Sequence, residues 1–377
     1  MVVSTGELSG EIHALHLLEA LRAHLAIGTS GLGGSRLAAA GVDIVHDYRD
    51  ISLMGVSELF SKAGHILRAF RAMECHLRDT APSLLILVDF PGFNLRLAKI
   101  ARRLGIPTVY FIPPQLWAWR KGRIKTIRDC VDLVLCILPF EEEMYRENGV
   151  EAVYVGHPFV QTVKAGRTRD EFLAHAGVAR KGPLLTVMPG SRESEILRLL
   201  PVMVDVVKQV SSRVADVSAV LPVAETVSME HIRERVAGTG ITLLPGLSHD
   251  ALAYCDAAVI ASGSATLEAA ILGAPSVVVY RMAPLSYWLA RLLVHVPHIS
   301  LPNLIAGHEI YPEFIQRLDP EIIADKVVYM LNNGTAAIKR DLDEVRSRLG
   351  AFDSYRAAAE SIVRFAERVY GPLPQTP

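Results

Sequence analysis

The sequence predicts an α/β protein built as two doubly wound, Rossmann-like domains facing a cleft. Three observations predict it. Short, nearly continuous apolar runs alternate with helical patterns along almost the whole chain. The length of 377 residues suits two domains of about 100–200 residues each. The same loop chemistry, glycine beside hydroxyl residues, recurs where a strand turns into a helix.

The first strand expected is Met1–Val3, shorter than the about five to six residues of a typical strand. So short an opening fits a natural start either at Met1 or further upstream. Later strands are expected over Leu84–Val88, Thr108–Ile112, Leu133–Ile137, Ala152–Val155, Leu184–Met188, Val217–Pro222, Ile241–Leu244, Ala257–Ala261 and Ser276–Tyr280. Runs this apolar suit strands covered on both faces of a parallel sheet. Helical periods lie between them. Ile196, Leu199, Leu200, Met203, Val207 and Val210 fall on one helix face. Other helices are expected over about His13–His24 and about Tyr355–Tyr370. Alternation of this kind implies right-handed crossovers. The boundary falls between Gly156-His-Pro-Phe and Lys164-Ala-Gly-Arg-Thr-Arg. It gives domains 1–162 and 163–349, with a C-terminal helix in about 350–371 packing back on the first.

Composition removes several classes. Half the residues are apolar and mean hydropathy is +0.28. No apolar run reaches the roughly 18–20 residues of a membrane-spanning helix. Low net charge, −1 from 39 basic and 40 acidic residues, and high apolar content argue against disorder. The four cysteines form no C-x-x-C pair, so neither a disulfide framework nor a zinc site is expected. A reducing, cytosolic setting follows. The N-terminus lacks a basic region followed by a long apolar one, so no signal peptide is expected. The neutral total hides an asymmetry: from Phe90 to Arg128 there are nine basic residues and no acidic one. That stretch reads either as a solvated basic face or as attraction to an anionic substrate or lipid. Nucleic acid is not expected as a partner, because no recognition motif is present.

Three loops carry phosphate-binding chemistry. The first, Ser4-Thr-Gly-Glu-Leu-Ser-Gly-Glu, holds Gly6, Glu7, Ser9 and Gly10. The second follows Leu184–Met188 and holds Gly190, Ser191, Arg192 and Glu195. The third follows Ala257–Ala261 and holds Ser262, Gly263, Ser264, Thr266 and Glu268. Each reads as a capped helix start or as an anion site, where free N–H groups and the helix dipole meet a phosphate. Ligands of doubly wound sheets bind beyond the carboxyl ends of the strands, which makes all three loops candidates for one cleft. Arg192 is either a bidentate diphosphate clamp or half of a surface ion pair. Glu268 is either a helix-dipole carboxylate or the acceptor of two ribose hydroxyls. Neither a Walker A loop nor a complete G-x-G-x-x-G fingerprint is present, so P-loop ATPase and simple dehydrogenase readings are weak.

Asp89 ends the run Leu84–Val88, and Pro91-Gly92 turns the chain away. It is a candidate general base; the alternative is a capping role in the turn. Glu7 is the second catalytic candidate, its alternative being a helix-N-terminal charge. The histidines show no metal-binding spacing.

Taken together, these segments resemble the lipid-A-disaccharide synthase family of glycosyltransferases. The resemblance is carried by Gly6-Glu-Leu-Ser-Gly-Glu11, Val88-Asp-Phe-Pro-Gly-Phe-Asn94, Pro114-Gln-Leu-Trp-Ala-Trp-Arg120, Leu138-Pro-Phe-Glu141, Val155-Gly-His-Pro158, Pro189-Gly-Ser-Arg192, Ala261-Ser-Gly-Ser-Ala-Thr-Leu-Glu268, Tyr280-Arg-Met282 and Ser300-Leu-Pro-Asn-Leu304. It implies a glycosyltransferase-B fold, with an N-terminal acceptor domain and a C-terminal UDP-sugar donor domain. It implies transfer of 2,3-diacylglucosamine from UDP to the 6-hydroxyl of 2,3-diacylglucosamine 1-phosphate, with inversion, giving a β-1,6 disaccharide and UDP. No cofactor and no catalytic metal are implied. Asp89 matches the catalytic aspartate, and Arg192, Glu268 and Asn303 match donor-site positions. Glu11 stands where the family often has aspartate, and Gly92 where some relatives carry a second acid. The alternatives are another UDP-sugar glycosyltransferase or epimerase of this fold, or a non-catalytic nucleotide-sugar-binding protein.

Acylated substrates require a membrane surface. In the segment from Leu53 to Arg71, Val56, Leu59, Phe60, Ile66, Leu67 and Phe70 are flanked by Lys62, His65, Arg68 and Arg71, as in an interfacial helix. The resemblance also places membrane and acyl contact here. The alternative is an ordinary helix burying one stripe in the core. The expected location is cytoplasmic, peripherally associated with the inner membrane at its anionic surface. A homo-oligomer is a further partner class the sequence allows.

Overall fold

The computed structural model describes residues 1–51, 63–117, 122–178, 181–224, 227–283, 287–288, 296–351 and 353–373. The chain divides into two compact units. One comprises Met1–Pro158 with the segment that begins at Ala351, and the other Phe159–Gly350.

The first unit is built on seven parallel strands: β1 (Val2–Ser4), β2 (Ser30–Gly33), β3 (Asp43–Asp47), β4 (Leu85–Val88), β5 (Thr108–Phe111), β6 (Leu133–Cys136) and β7 (Ala152–Tyr154). Their order is β3-β2-β1-β4-β5-β6-β7. All positions of β4, β5 and β6 are buried, as expected of strands covered by helices on both faces. The chain leaves β1 in one direction and returns at β4 in the other. The β1/β4 pair is therefore the switch point, where Val3 stands opposite Ile86.

The second unit has six parallel strands: β8 (Leu184–Met188), β9 (Ser218–Val223), β10 (Ile241–Pro245), β11 (Ala257–Ala261), β12 (Ser276–Tyr280) and β13 (Glu313–Ile315). Their order, β10-β9-β8-β11-β12-β13, puts the switch point at β8/β11. The helix Glu193–Ser211 buries Ile196, Leu199, Leu200, Met203, Val207 and Val210, the face its periodicity predicts.

Three strands went unread in the sequence. β2 is Ser-Gly-Leu-Gly, which has no strand-like composition. Its glycine is a packing requirement, since a Cβ on Gly31 would lie 1.9 Å from the Val3 carbonyl oxygen. β3 and β13 are edge strands with acidic residues at or near their ends. The first helix runs Leu8–Arg22, starting earlier than expected. Gly10 lies within it, and a Cβ there would meet the Thr5 hydroxyl oxygen at 2.4 Å.

The last helix, Ser354–Tyr370, lies in the first unit and packs on Leu8–Arg22. Ala358, Ala359 and Ile362 are fully buried there, and the Tyr355 hydroxyl is 2.9 Å from His13 Nδ1. Of the proposed membrane segment, Val56, Leu59 and Phe60 lie outside the described residues. The helix Ala63–Thr80 buries Ala69, Met73 and Leu77 at four-residue spacing. Ile66 packs partly against that core, whereas Leu67 is 50% exposed.

Candidate functional site

Each unit carries its own candidate site at the carboxyl ends of its switch-point strands. In the first unit, β1 runs through Thr5, Gly6 and Glu7 into the helix Leu8–Arg22. Beside it, β4 ends at Val88 and the chain turns sharply. Asp89 and Phe90 take φ values of +48° and +50°. Two successive non-glycine residues in the left-handed region are uncommon and cost about 1–3 kcal/mol each. Buried Asn94 holds the turn. Its amide nitrogen donates to the carbonyls of Ser4, Val88 and Asp89 at 3.2, 3.2 and 2.7 Å. Its amide oxygen accepts from Ser4 Oγ at 2.7 Å. The Tyr110 hydroxyl donates to the Asp89 carbonyl at 2.8 Å.

This turn seats the Phe90 ring against the first loop. A Cβ on Gly6 would lie 2.1 Å from that ring, so glycine is what lets the two loops meet. Glu7 is exposed, and its carboxylate accepts from Ser9 Oγ at 2.9 Å. The Asp89 carboxyl is pushed up to about 6, first by burial and then by the Glu7 charge, against a backbone hydrogen bond from Phe90. A carboxylate with that value is ionised at neutral pH, yet more basic than an ordinary one.

Neighbouring motif segments are tied to one another by buried hydrogen bonds. Glu11 is buried. It accepts from the Arg36 and Leu37 amides at 3.0 and 3.1 Å and from the Tyr48 hydroxyl at 3.0 Å. It thereby satisfies the start of the helix Ser35–Ala39. Trp117 donates from Nε1 to Glu141 at 3.0 Å, and the Tyr145 hydroxyl donates to the Pro114 carbonyl at 3.1 Å. Two of the segments quoted above are therefore physically one unit. The fully buried Glu141 carboxyl is raised to about 7 by burial. Ala118, Trp119 and Arg120 lie outside the described residues.

In the second unit a cavity of about 500 Å³ opens at the carboxyl ends of β8, β9, β11 and β12. That volume is in the range of small-molecule sites. Gly190, Ser191, Arg192 and Glu195 line it from the second loop, and Ser262, Gly263, Ser264 and Glu268 from the third. The helices Glu193–Ser211 and Ser264–Leu272 begin there, so their free N–H groups and dipoles favour an anion. Gly190 has φ +118°, and the Glu195 carboxylate fills the space where a Cβ would be. The Arg192 side chain is 79% exposed, with its guanidinium 3.6 Å from Glu195. Glu268 is mostly buried and lies 3.5 Å from His249 Nε2.

Thr266 and Asn303 are not in the cavity wall. The Thr266 hydroxyl donates to the Gly263 carbonyl at 2.7 Å and holds the third turn. Asn303 has its amide positions filled. Its nitrogen donates to the Tyr311 carbonyl and to Glu313, and its oxygen accepts from the Ile310 and Tyr311 amides. Glu313 also accepts from Ser300, so the Ser300–Leu304 segment is tied internally. The sequence assigns no site role to four wall residues, Ala224, Gly246, Ser248 and Tyr280, although Tyr280 stands in a motif segment. All four stand at or just beyond the carboxyl ends of β9, β10 and β12, which is the signal that finds them. Among the described residues, no group of three or more His, Cys, Asp or Glu side chains is placed to hold a metal ion.

Two parallel-sheet units with glycine-hydroxyl turns at their switch points define a class, the glycosyltransferase-B fold. Solved structures share the fold. A putative UDP-N-acetylglucosamine 2-epimerase from Listeria monocytogenes matches with TM-score 0.62 at 13% identity, covering 98% of this chain and 96% of that one. The glycotransferase of kitacinnamycin matches with TM-score 0.61 at 17% identity over 96% and 97%. The family described as Lipid-A-disaccharide synthetase matches residues 1–364. The lipid-A-disaccharide synthase of Myxococcus xanthus is 42% identical over 369 residues, 96% of each chain. That of Syntrophus aciditrophicus is 40% identical over 357 residues, 93% of each. The chain belongs to the lipid-A-disaccharide synthase family and is a glycosyltransferase.

Proposed function

We propose that the protein transfers 2,3-diacylglucosamine from its UDP derivative to the 6-hydroxyl of 2,3-diacylglucosamine 1-phosphate, with Asp89 as the general base. The acceptor oxygen attacks the donor sugar's anomeric carbon from the face opposite UDP. The bond from that carbon to the diphosphate oxygen breaks, the hydroxyl proton passes to Asp89, and UDP departs. One displacement inverts the anomeric centre and gives the β-1,6 link.

The observation that carries this reading is Asp89 at the β1/β4 switch point, with a carboxyl raised to about 6. Glu7 assists by raising that basicity. In the second unit Arg192, Ser191, Ser264 and the two helix starts receive the diphosphate, and Glu268 receives the ribose. Such preorganised charge stabilises a leaving diphosphate without rearrangement. The enzyme works at a membrane surface from the cytoplasmic side. No helix among the described residues is long and apolar enough to cross a membrane. Leu67 stands exposed beside exposed His65, Arg68 and Arg71, which supports a peripheral, anion-seeking contact.

Incubating the protein with both diacylated substrates should release UDP and form the disaccharide. Asp89→Asn should retain UDP binding while turnover falls roughly 10²- to 10⁴-fold. Normal turnover in that variant would remove Asp89 from the base role.

A further inference from the structure

One side chain outside the proposed donor contacts stands against one of them. His249 follows the cavity-lining Ser248 in the first turn of the helix Ser248–Tyr254, just after β10. Its Nε2 is 3.5 Å from Glu268 Oε2, an ion pair when the ring is charged. The turn that carries it is fixed. The next residue, Asp250, is buried. It accepts from the Gly166 and Arg167 amides at 2.6 and 3.0 Å and from the Arg167 guanidinium at 3.1 Å.

A neutral imidazole has one N–H and a charged one has two. The Glu268 carboxylate beside the ring favours the charged form. The His249 pKa is raised accordingly, first by the hydrogen bond to Glu268, against burial, and further by the Glu268 and Asp250 charges. The other charged groups nearby are Arg167, which is paired with Asp250, and the exposed Lys164 side chain.

We propose that His249 is a positioning residue of the donor site. It holds one oxygen of Glu268 and leaves the other aimed at the ribose hydroxyls of a uridine diphosphate. The proposal rests on the ribose role of Glu268 given above. A carboxylate already held in place gives up less rotational freedom when the ligand arrives, and a partner behind a ligating group fixes its orientation. The consequence is selectivity for a ribonucleotide over a 2′-deoxyribonucleotide.

The test is calorimetric binding of UDP and of 2′-deoxy-UDP to the full chain. The proteins compared are wild type, His249→Ala, His249→Asn and Glu268→Gln. His249→Ala should reduce the preference for UDP roughly tenfold, the size of one hydrogen bond to a charged group. The loss should fall on UDP alone. Unchanged 2′-deoxy-UDP binding then also reports an intact site. In wild type the UDP preference should fall as pH rises through the raised His249 pKa, because the charged ring is lost. Taking the ratio of the two ligands cancels the titration of their shared phosphates. His249→Asn keeps a donor but no titration, so its preference should be intermediate and independent of pH. Parallel weakening of both ligands in His249→Ala, or a pH-independent ratio in wild type, overturns the proposal. An unchanged ratio in Glu268→Gln overturns the ribose role of Glu268 and this inference with it. Collapse of the ratio in Glu268→Gln with an unchanged ratio in His249→Ala overturns the role of His249 alone.

Discussion

Asp89 shows how a single residue is tuned by its surroundings. Burial disfavours its charged form, and the Glu7 carboxylate adds like-charge repulsion. Both raise its pKa, so the group is protonated below about pH 6 and cannot accept a proton there. The rate should fall by about tenfold per pH unit on that acid limb. Glu7→Gln removes the repulsion but not the burial, which is the larger cause. The limb in kcat/KM should therefore move to lower pH and stay above the ordinary carboxylate value of 3.8. An unmoved limb would show that Glu7 does not act on Asp89. The position of Asp89 was legible in sequence, because an acid closing an apolar run stands at a strand's carboxyl end. Its support was not legible. Asn94 reaches Ser4 across 90 positions, a pairing that no local pattern contains. The same holds for Asn303, which matched a donor position in sequence yet spends its amide on Glu313 and the Ile310–Tyr311 backbone.

Between elements, small residues decide what can touch. Gly6 lies under the Phe90 ring, which is itself held at φ +50°. Gly92 starts the next helix with open space around it. Gly6→Ala should destabilise the protein by about 1–3 kcal/mol, as overpacking does, and should displace the Asp89 turn. Gly92→Ala should be neutral or stabilise by up to about 1 kcal/mol. Thermal unfolding with turnover checks both, and equal effects would remove the packing argument. The helix Ala63–Thr80 allows a similar comparison. Ile66 faces the core and Leu67 faces out, so the two adjacent apolar residues that sequence grouped together belong to different surfaces. Leu67→Glu should weaken binding to anionic liposomes while the unfolding midpoint stays unchanged. Undiminished liposome binding would take this face out of the membrane contact. Strands buried on both faces were readable from their apolar runs. β2 was not, because Gly31 is selected by the approach of the Val3 backbone, a tertiary fact. Edge strands β3 and β13 were not, because a partly exposed edge tolerates polar residues.

For the whole molecule, 50% apolar composition with no spanning helix among the described residues finds its place in two parallel sheets covered on both faces. One cover comes from far along the chain. The helix Ser354–Tyr370 buries Tyr355, Ala358, Ala359, Ile362 and Phe365 against Leu17, Leu18, Leu21, Ile86 and Val109. Each large apolar side chain so buried is worth about 1.5–3 kcal/mol, and several together rival the about 5–15 kcal/mol that stabilises a typical domain. The first unit is thus completed only after the second has been traversed, since the intervening Phe159–Gly350 forms its own compact body. Ending the chain at Gly350 should uncover the Leu17–Leu21 face and abolish the first unit's cooperative unfolding. The second unit keeps all six strands and the cavity beside β8 and β11, so it should still bind UDP. Disaccharide formation should vanish, because the proposed base sits in the unit that has lost its cover. Thermal unfolding of the shortened chain with and without UDP separates the cases. A UDP-stabilised transition should remain and the other should disappear. If both transitions persist at their original temperatures, the C-terminal helix is not what closes the first unit.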